Sequence, residues 1–252
     1  MSKNKLYPTV FYEDRHSTTQ YAASQILSIV SELISTQIQS AIDIGCGVGT
    51  WLSTLNKAGV NEILGVDGPW VNKDKLVIPP ECFKEHNFSE TVNVGLDKKY
   101  DLAICLEVAE HIDGKDAGGF VKQLTSLSDV VLFSAAIPGQ GGQGHINEQW
   151  PAYWAELFRA NGHIVKDVIR ARVWDDNCIP FWYRQNALLF GLPEKMAAID
   201  EPELGVLPLV HPSLLSSYTN IYVAGAAQLL FDTLVKSLKR KLNIEAYPRV
   251  NG

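Results

Sequence analysis

Glu107, Glu110 and His111 follow one another closely in the segment Leu106-Glu107-Val108-Ala109-Glu110-His111-Ile112, directly after the apolar run Leu102 to Leu106. If a helical turn opens at Glu107, side chains three and four positions apart share one face, so two carboxylates and an imidazole converge. Oxygen-rich ligation with one imidazole suits Mg, Mn or Fe better than a structural zinc site. The alternative is a segment that binds no metal. A further histidine, His145, closes the glycine- and glutamine-rich stretch Gly139-Gln140-Gly141-Gly142-Gln143-Gly144. An imidazole with an unperturbed pKa of about 6.5 can take a proton from a hydroxyl at neutral pH. His145 is the expected general base, with His111 and Glu107 as the other candidate catalytic groups.

A second group of residues points to a ligand. Ala41-Ile42-Asp43-Ile44 leads into Gly45-Cys46-Gly47-Val48-Gly49. Glycines there let the chain turn sharply and approach a ligand without side-chain collision. The spacing is GxGxG, which differs from the GxGxxG of dinucleotide enzymes. Asp43 just before the glycines suits an ammonium-bearing ligand better than a pyrophosphate. Asp67, in Ile63-Leu64-Gly65-Val66-Asp67-Gly68, follows about 20 residues on, where a carboxylate can accept from both hydroxyls of a ribose. Asn87 and Phe88 come after a third apolar run, and an amide followed by an aromatic can bind an adenine edge and cover its face. A turn asparagine is the plainer alternative for Asn87.

These residues need a scaffold that brings strand ends to one edge. Short apolar runs at Ser40–Ile44, Glu62–Val66, Cys82–His86, Asp101–Leu106 and Asp129–Ser134 read as strands. Helices are expected at 17–36, 50–58, 116–127 and from Trp150-Pro151 to Asn161-Gly162, since proline favours a helix start and glycine a helix stop. Ile164–Ile169 and Ala187–Phe190 complete seven strands. Such alternation predicts an α/β fold, a largely parallel sheet with helices on both faces. Beyond residue 192 the pattern changes. Residues 192–212 carry four prolines, and 221–242 return to helical spacing, ending in the basic run Lys239-Arg240-Lys241. The expected division is a domain at 1–192 with an N-terminal helical lid around Phe11 to His16, then a connector and helix at 193–252.

The order and spacing of the glycine turn, Asp67, Asn87-Phe88 and Leu106-Glu107 resemble the class I S-adenosylmethionine (SAM)-dependent methyltransferases over roughly residues 35–190. The resemblance implies a Rossmann-like seven-stranded methyltransferase sheet. It implies that Asp43, Gly45, Cys46, Gly47 and Gly49 line the methionine part of SAM and that Asp67 holds the ribose with Gly68 beside it. Asn87 and Phe88 would contact adenine, and Leu106 and Glu107 would close the site near the sulfonium. The ExxEH pattern is similar to two metal-assisted groups, the small-RNA terminal 2'-O-methyltransferases and the ubiquinone-pathway O-methyltransferases. In the RNA group a histidine after strand five completes the metal site, and His145 occupies a comparable place. The segment Phe133 to Trp150 resembles bacterial methyltransferases associated with surface-glycan synthesis. That implies O-methylation of a sugar or glycan-precursor substituent, with methylation of an RNA terminus or a non-catalytic SAM-binding scaffold as alternatives.

Composition sets bounds on partners. The 252 residues carry a formal net charge of -6, which gives no general attraction to nucleic acid or to anionic membranes. The four cysteines form no CxxC pair and read as buried thiols of a reducing compartment. No apolar run approaches the ~20 residues of a membrane span, and Met1 to Lys5 open no signal peptide. Cytoplasm is the expected location, and the C-terminal helix could serve a homodimer or cap the substrate pocket. Aromatics from Trp150 to Tyr183 are expected mostly in the core. Arg170, Arg172 and Arg184 are expected at the surface, where they could also hold an acceptor phosphate.

Overall fold

A computed structural model describes residues 9–34, 37–200 and 206–218, with backbone alone for 9–17. The chain divides into two compact units, 1–209 and 210–252. In the second, residues 212–218 are helical, and the helix expected at 221–242 lies outside the described residues. No helix among the described residues is long and apolar enough to cross a membrane.

The first unit is built on seven strands: β1 (Ser40–Ile44), β2 (Glu62–Asp67), β3 (Phe83–Glu85), β4 (Leu102–Leu106), β5 (Val130–Ser134), β6 (Ile164–Lys166) and β7 (Leu188–Gly191). Their order in the sheet is β3-β2-β1-β4-β5-β7-β6. The first five run parallel, and β7 is antiparallel to both β5 and β6. This is the α/β sheet expected from the sequence. Strands β1, β4 and β5 are buried throughout, as a sheet covered on both faces requires.

The period of two along β4 sorts its side chains. Leu102, Ile104 and Leu106 join one apolar cluster, while Ala103 and Cys105 join the other. The first cluster takes in α1 (Thr9–Leu33), α2 (Thr50–Lys57), α5 (Arg170–Val173) and α6 (Phe181–Asn186), and the second α3 (Ala117–Leu127) and α4 (Pro151–Arg159). Phe133 is buried in the second cluster against Trp154, Phe158 and Phe190. Truncating such a ring to alanine costs about 3–5 kcal/mol.

The elements differ from expectation at their ends. Pro151 is the first residue of α4, and Gly162, at φ 81°, turns the chain after it. The strand expected over Ile164–Ile169 stops at Lys166, because Ile169 is the N-cap of α5. The helix α6 was not expected at all. Its Tyr183 packs edge-on against Trp51 of α2 with ring centroids 5.3 Å apart, which fixes α6 beside the helix that follows the glycine turn. Cys46 and Cys105 are buried, Cys82 is half-buried and Cys178 is exposed.

Candidate active site

The glycine turn leaves the carboxyl end of β1 and feeds α2, where ligands sit in open α/β sheets. Gly45, Gly47 and Gly49 all have left-handed backbone, at φ 81°, 55° and 88°. Gly45 has a second constraint: a Cβ there would lie 2.3 Å from Val108 Cγ2. The turn therefore presses directly on the segment that follows β4, and the two sets of chemical residues share one edge of the sheet.

Asp67, at the end of β2, accepts from the Gly47 N–H at 2.7 Å and from the Gly68 N–H at 2.6 Å. It braces the glycine turn, a role beyond the ribose contact expected of it. An ionised carboxylate has about four lone-pair sites, so acceptance from a ribose is compatible with both contacts. Asp43 is 2 % exposed, and its Oδ2 has no hydrogen-bond partner. Burial, with the charge of Asp67 nearby, pushes its carboxyl well above the ordinary range. A buried polar atom left unpartnered is costly, and an ammonium group is the kind of ligand that would relieve it. Burial, then Asp67, also raises the Cys46 thiol, so Cys46 is a small neutral wall of the turn. These residues fit the methionine and ribose of SAM.

The adenine pair does not match its expectation. Phe88 is 9 % exposed and packs in the second cluster, edge-on to His86 and Phe120. A ring held there is core, not an open face for a base. Asn87 accepts from the Ser89 N–H and hydroxyl and donates to Glu90 Oε1 at 2.6 Å. It is the turn asparagine weighed as the plainer alternative. Arg170 and Arg184, expected at the surface, are buried. Arg170 is spent on Asp167 and the carbonyls of Gln185 and Leu207, and Arg184 on the Trp174 carbonyl and Asn177. Arg172 pairs with Glu32 at 3.0 Å.

After β4 the chain does not open a helical turn at Glu107. Glu107 has φ 56° and is the single non-glycine residue with positive φ among those described. A short 3-10 turn follows at Ala109–His111. A non-glycine residue in left-handed backbone costs of order 1–3 kcal/mol and persists where its surroundings over-determine it. Here they do. The Glu107 N–H reaches Ser134, Oε1 accepts from Asn186 Nδ2 at 3.0 Å, and Oε2 accepts from Gln140 Nε2 at 2.8 Å. Burial raises the Glu107 carboxyl, and its interactions with the Asn186, Ser134 and Gln140 side chains oppose the rise.

The left-handed residue separates Glu107 from the other two. One ligand atom each from Glu110, His111 and His145 lies within 4.8 Å of the other two, and Glu107 is not in that group. Of the four residues expected to share a cation, these three come together and Glu107 does not. Glu110 is fully buried, and neither carboxylate oxygen has a well-aligned hydrogen-bond partner; burial followed by the charge of Glu107 pushes its pKa well up, opposed only in part by the nearby N–H groups of Glu110 itself and Ala136. The His145 Nε2 stands 3.8 Å from Glu110 Oε1, and the two imidazoles meet edge-on with centroids 5.0 Å apart. His111 Nδ1 lies 3.0 Å from the Gly144 carbonyl. A carbonyl only accepts, so in a neutral ring Nδ1 carries the proton and Nε2 does not. Main-chain bonds tie the loop after β5 to this turn: Ile146 and Asn147 both donate to the Glu110 carbonyl, at 2.9 and 3.0 Å.

Four polar residues of this region carried no signal of their own in the sequence. Gln140 and Glu148 lie within stretches singled out as a loop, and Gln185 and Asn186 end the unexpected α6. A glutamine in a glycine-rich stretch and an acid three residues after a candidate base were the available hints.

A search of curated protein sequences finds no match. Among solved structures, DesVI of Streptomyces venezuelae aligns with TM-score 0.55 at 15% identity, covering 73% of this chain and 95% of that one. An O-methyltransferase family protein from Burkholderia thailandensis aligns with TM-score 0.53 at 15% identity over 74% of this chain, which spans 60% of that protein's length. Magnesium protoporphyrin IX methyltransferase (ChlM) from Synechocystis PCC 6803, with bound SAH, aligns with TM-score 0.50 at 19% identity, covering 75% and 91%. Likeness at these identities is likeness of fold. The family model described as a methyltransferase domain matches residues 16–174, and with its sheet order and glycine turn the chain belongs to that family, as a class I SAM-dependent methyltransferase.

Proposed function

We propose that the enzyme transfers the methyl group of SAM to a hydroxyl of a sugar or glycan-precursor substituent, assisted by a divalent cation held by Glu110, His111 and His145. The observation that carries this reading is Glu110, a fully buried carboxylate without a well-aligned hydrogen bond on either oxygen, beside two imidazoles. When ionised, a carboxylate buried in this way needs a charged partner or a metal, and among the described residues the one imidazole in ion-pair range is that of His145, at 3.8 Å. One carboxylate oxygen with two imidazole nitrogens suits Fe(II) or Mn better than Mg, which prefers oxygen alone, and leaves further positions for water or substrate.

A bound cation supplies Lewis acidity that lowers the pKa of an acceptor hydroxyl. The chain's own residues do the rest. The glycine turn and Asp67 hold the cofactor beside the segment after β4, whose Val108 packs against Gly45. His145 would receive the hydroxyl proton where no metal is bound; where it serves as ligand, the acidified hydroxyl would pass its proton to solvent. Orientation is the main contribution, because the sulfonium is already a good leaving group. The ring character of the acceptor is supported by Trp150 and Ile146, which are 40% and 67% exposed in the loop that carries His145. An exposed aromatic face there can stack on a sugar ring.

Calorimetric titration with S-adenosylhomocysteine, alone and with Mn or Mg, tests the site. Micromolar binding with a separate heat for the cation is expected. Methyl transfer from labelled SAM to nucleotide sugars then tests the acceptor class. Transfer to a short RNA in place of any sugar would overturn the sugar reading and leave the cofactor site standing.

A further inference from the structure

Glu148 lies outside the groups that face cofactor or cation, yet it touches three other points of the loop. Its Oε1 accepts from His145 Nδ1 at 2.8 Å and from the Gly141 N–H at 2.8 Å. Its Oε2 accepts from the Gly139 N–H at 2.7 Å. Gly139 and Gly141 have left-handed backbone, at φ 84° and 68°, so the loop is wound around this one carboxylate. His145 and Glu148 are mostly buried, with side chains 13% and 19% exposed. Water therefore competes weakly for these bonds.

We propose that Glu148 is a positioning residue that holds His145 in the tautomer protonated at Nδ1, leaving Nε2 bare and turned toward Glu110. An ionised carboxylate only accepts, so a neutral imidazole bonded to it through Nδ1 must carry its hydrogen there. The lone pair is then at Nε2, the atom 3.8 Å from Glu110 Oε1. Gly142 completes the arrangement, since a Cβ at that position would lie 2.2 Å from His145 Nε2. The loop thus needs a glycine on one side of the ring and a carboxylate on the other. The inference rests on the proposed role of His145 as ligand or base. Carboxylates bonded to the far nitrogen of a ligating histidine fix its orientation and strengthen the metal site, and their loss typically costs about 10–100-fold in affinity.

The test uses the full chain, labelled with ¹⁵N-histidine and free of metal, with Mn²⁺ as the probe. The imidazole nitrogen resonances of His145, assigned with His145→Gln, are expected to show a proton on Nδ1. In Glu148→Ala that preference should disappear and Mn²⁺ affinity should fall about 10–100-fold, with S-adenosylhomocysteine affinity unchanged. Glu148→Gln keeps an amide oxygen that can accept from Nδ1, so it should retain the tautomer. A wild-type His145 protonated at Nε2 overturns the proposal whatever the variants do, as does a tautomer unmoved by Glu148→Ala. If the wild type binds no Mn²⁺, the metal reading fails while the tautomer result still decides the role of Glu148.

Discussion

Asn186 Nδ2 donates to Glu107 Oε1 at 3.0 Å, joining the end of α6 to the residue that leaves β4. The same amide group reaches Gln140 Oε1 at 2.9 Å, and Gln140 in turn donates to Glu107 Oε2. Three segments of the chain are thereby locked around one carboxylate in left-handed backbone. The lock explains how the fold tolerates φ 56° at Glu107.

This lock predicts a measurable coupling. Asn186 is 2 % exposed, and removing it leaves part of a desolvated carboxylate unpaired. Asn186→Ala should lower stability by about 1–3 kcal/mol. Glu107→Ala and the double variant complete a cycle whose coupling is expected at about 0.5–3 kcal/mol. Urea unfolding of the four proteins reads it, and additive single effects would show that the contact carries no energy.

Asp67 should be needed for the cofactor for two reasons. It is placed to accept from ribose, and it already holds the Gly47 N–H. Asp67→Ala is expected to weaken S-adenosylhomocysteine binding by more than about tenfold, the equivalent of about 1.4 kcal/mol or more. Calorimetry of the folded variant checks this, and unchanged affinity would remove Asp67 from the site.

Gly45→Ala combines two separable costs. Left-handed backbone disfavours any Cβ by roughly 1–2 kcal/mol, and the new methyl would meet Val108 Cγ2 at 2.3 Å. The single variant should be destabilised and lose S-adenosylhomocysteine binding. Adding Val108→Ala removes the collision but not the backbone penalty, so it should restore stability only in part. Complete rescue would mean that packing, not φ, demands the glycine.

Much of this was legible in the sequence because it depends on local rules. The apolar run of β4 and the glycines of the turn announce a buried strand and a ligand-facing corner whatever surrounds them. The helix stop at Gly162 is likewise local. Phe88 was misread because burial depends on α3, whose Phe120 meets it edge-on, and an aromatic beside an asparagine looks the same in core or pocket. Glu107 was expected on one helical face with Glu110, but its backbone is set by Asn186, contributed by a helix 79 positions later. Glu148 was hidden for a similar reason: its partners Gly139 and Gly141 come to it only once the loop is wound.

The last prediction concerns pH and Glu110. Burial raises its folded-state pKa well above the ordinary 4.5, so between those values the folded protein holds a proton that the unfolded chain has released. The unfolded state then binds fewer protons, and stability must fall as pH rises through that window, by at most about 1.4 kcal/mol per pH unit for one group. Asp43 is shifted in the same direction, so the wild-type slope alone does not isolate Glu110. Glu110→Gln does, because the amide cannot ionise. Urea midpoints of metal-free protein should decline from mildly acid to neutral pH in the wild type and decline less in Glu110→Gln. Mn²⁺ should reverse the difference, since a cation that binds the ionised carboxylate stabilises the folded wild type most where that form is favoured. If Mn²⁺ raises the midpoints of wild type and Glu110→Gln equally at neutral pH, the buried carboxylate is not the cation's ligand.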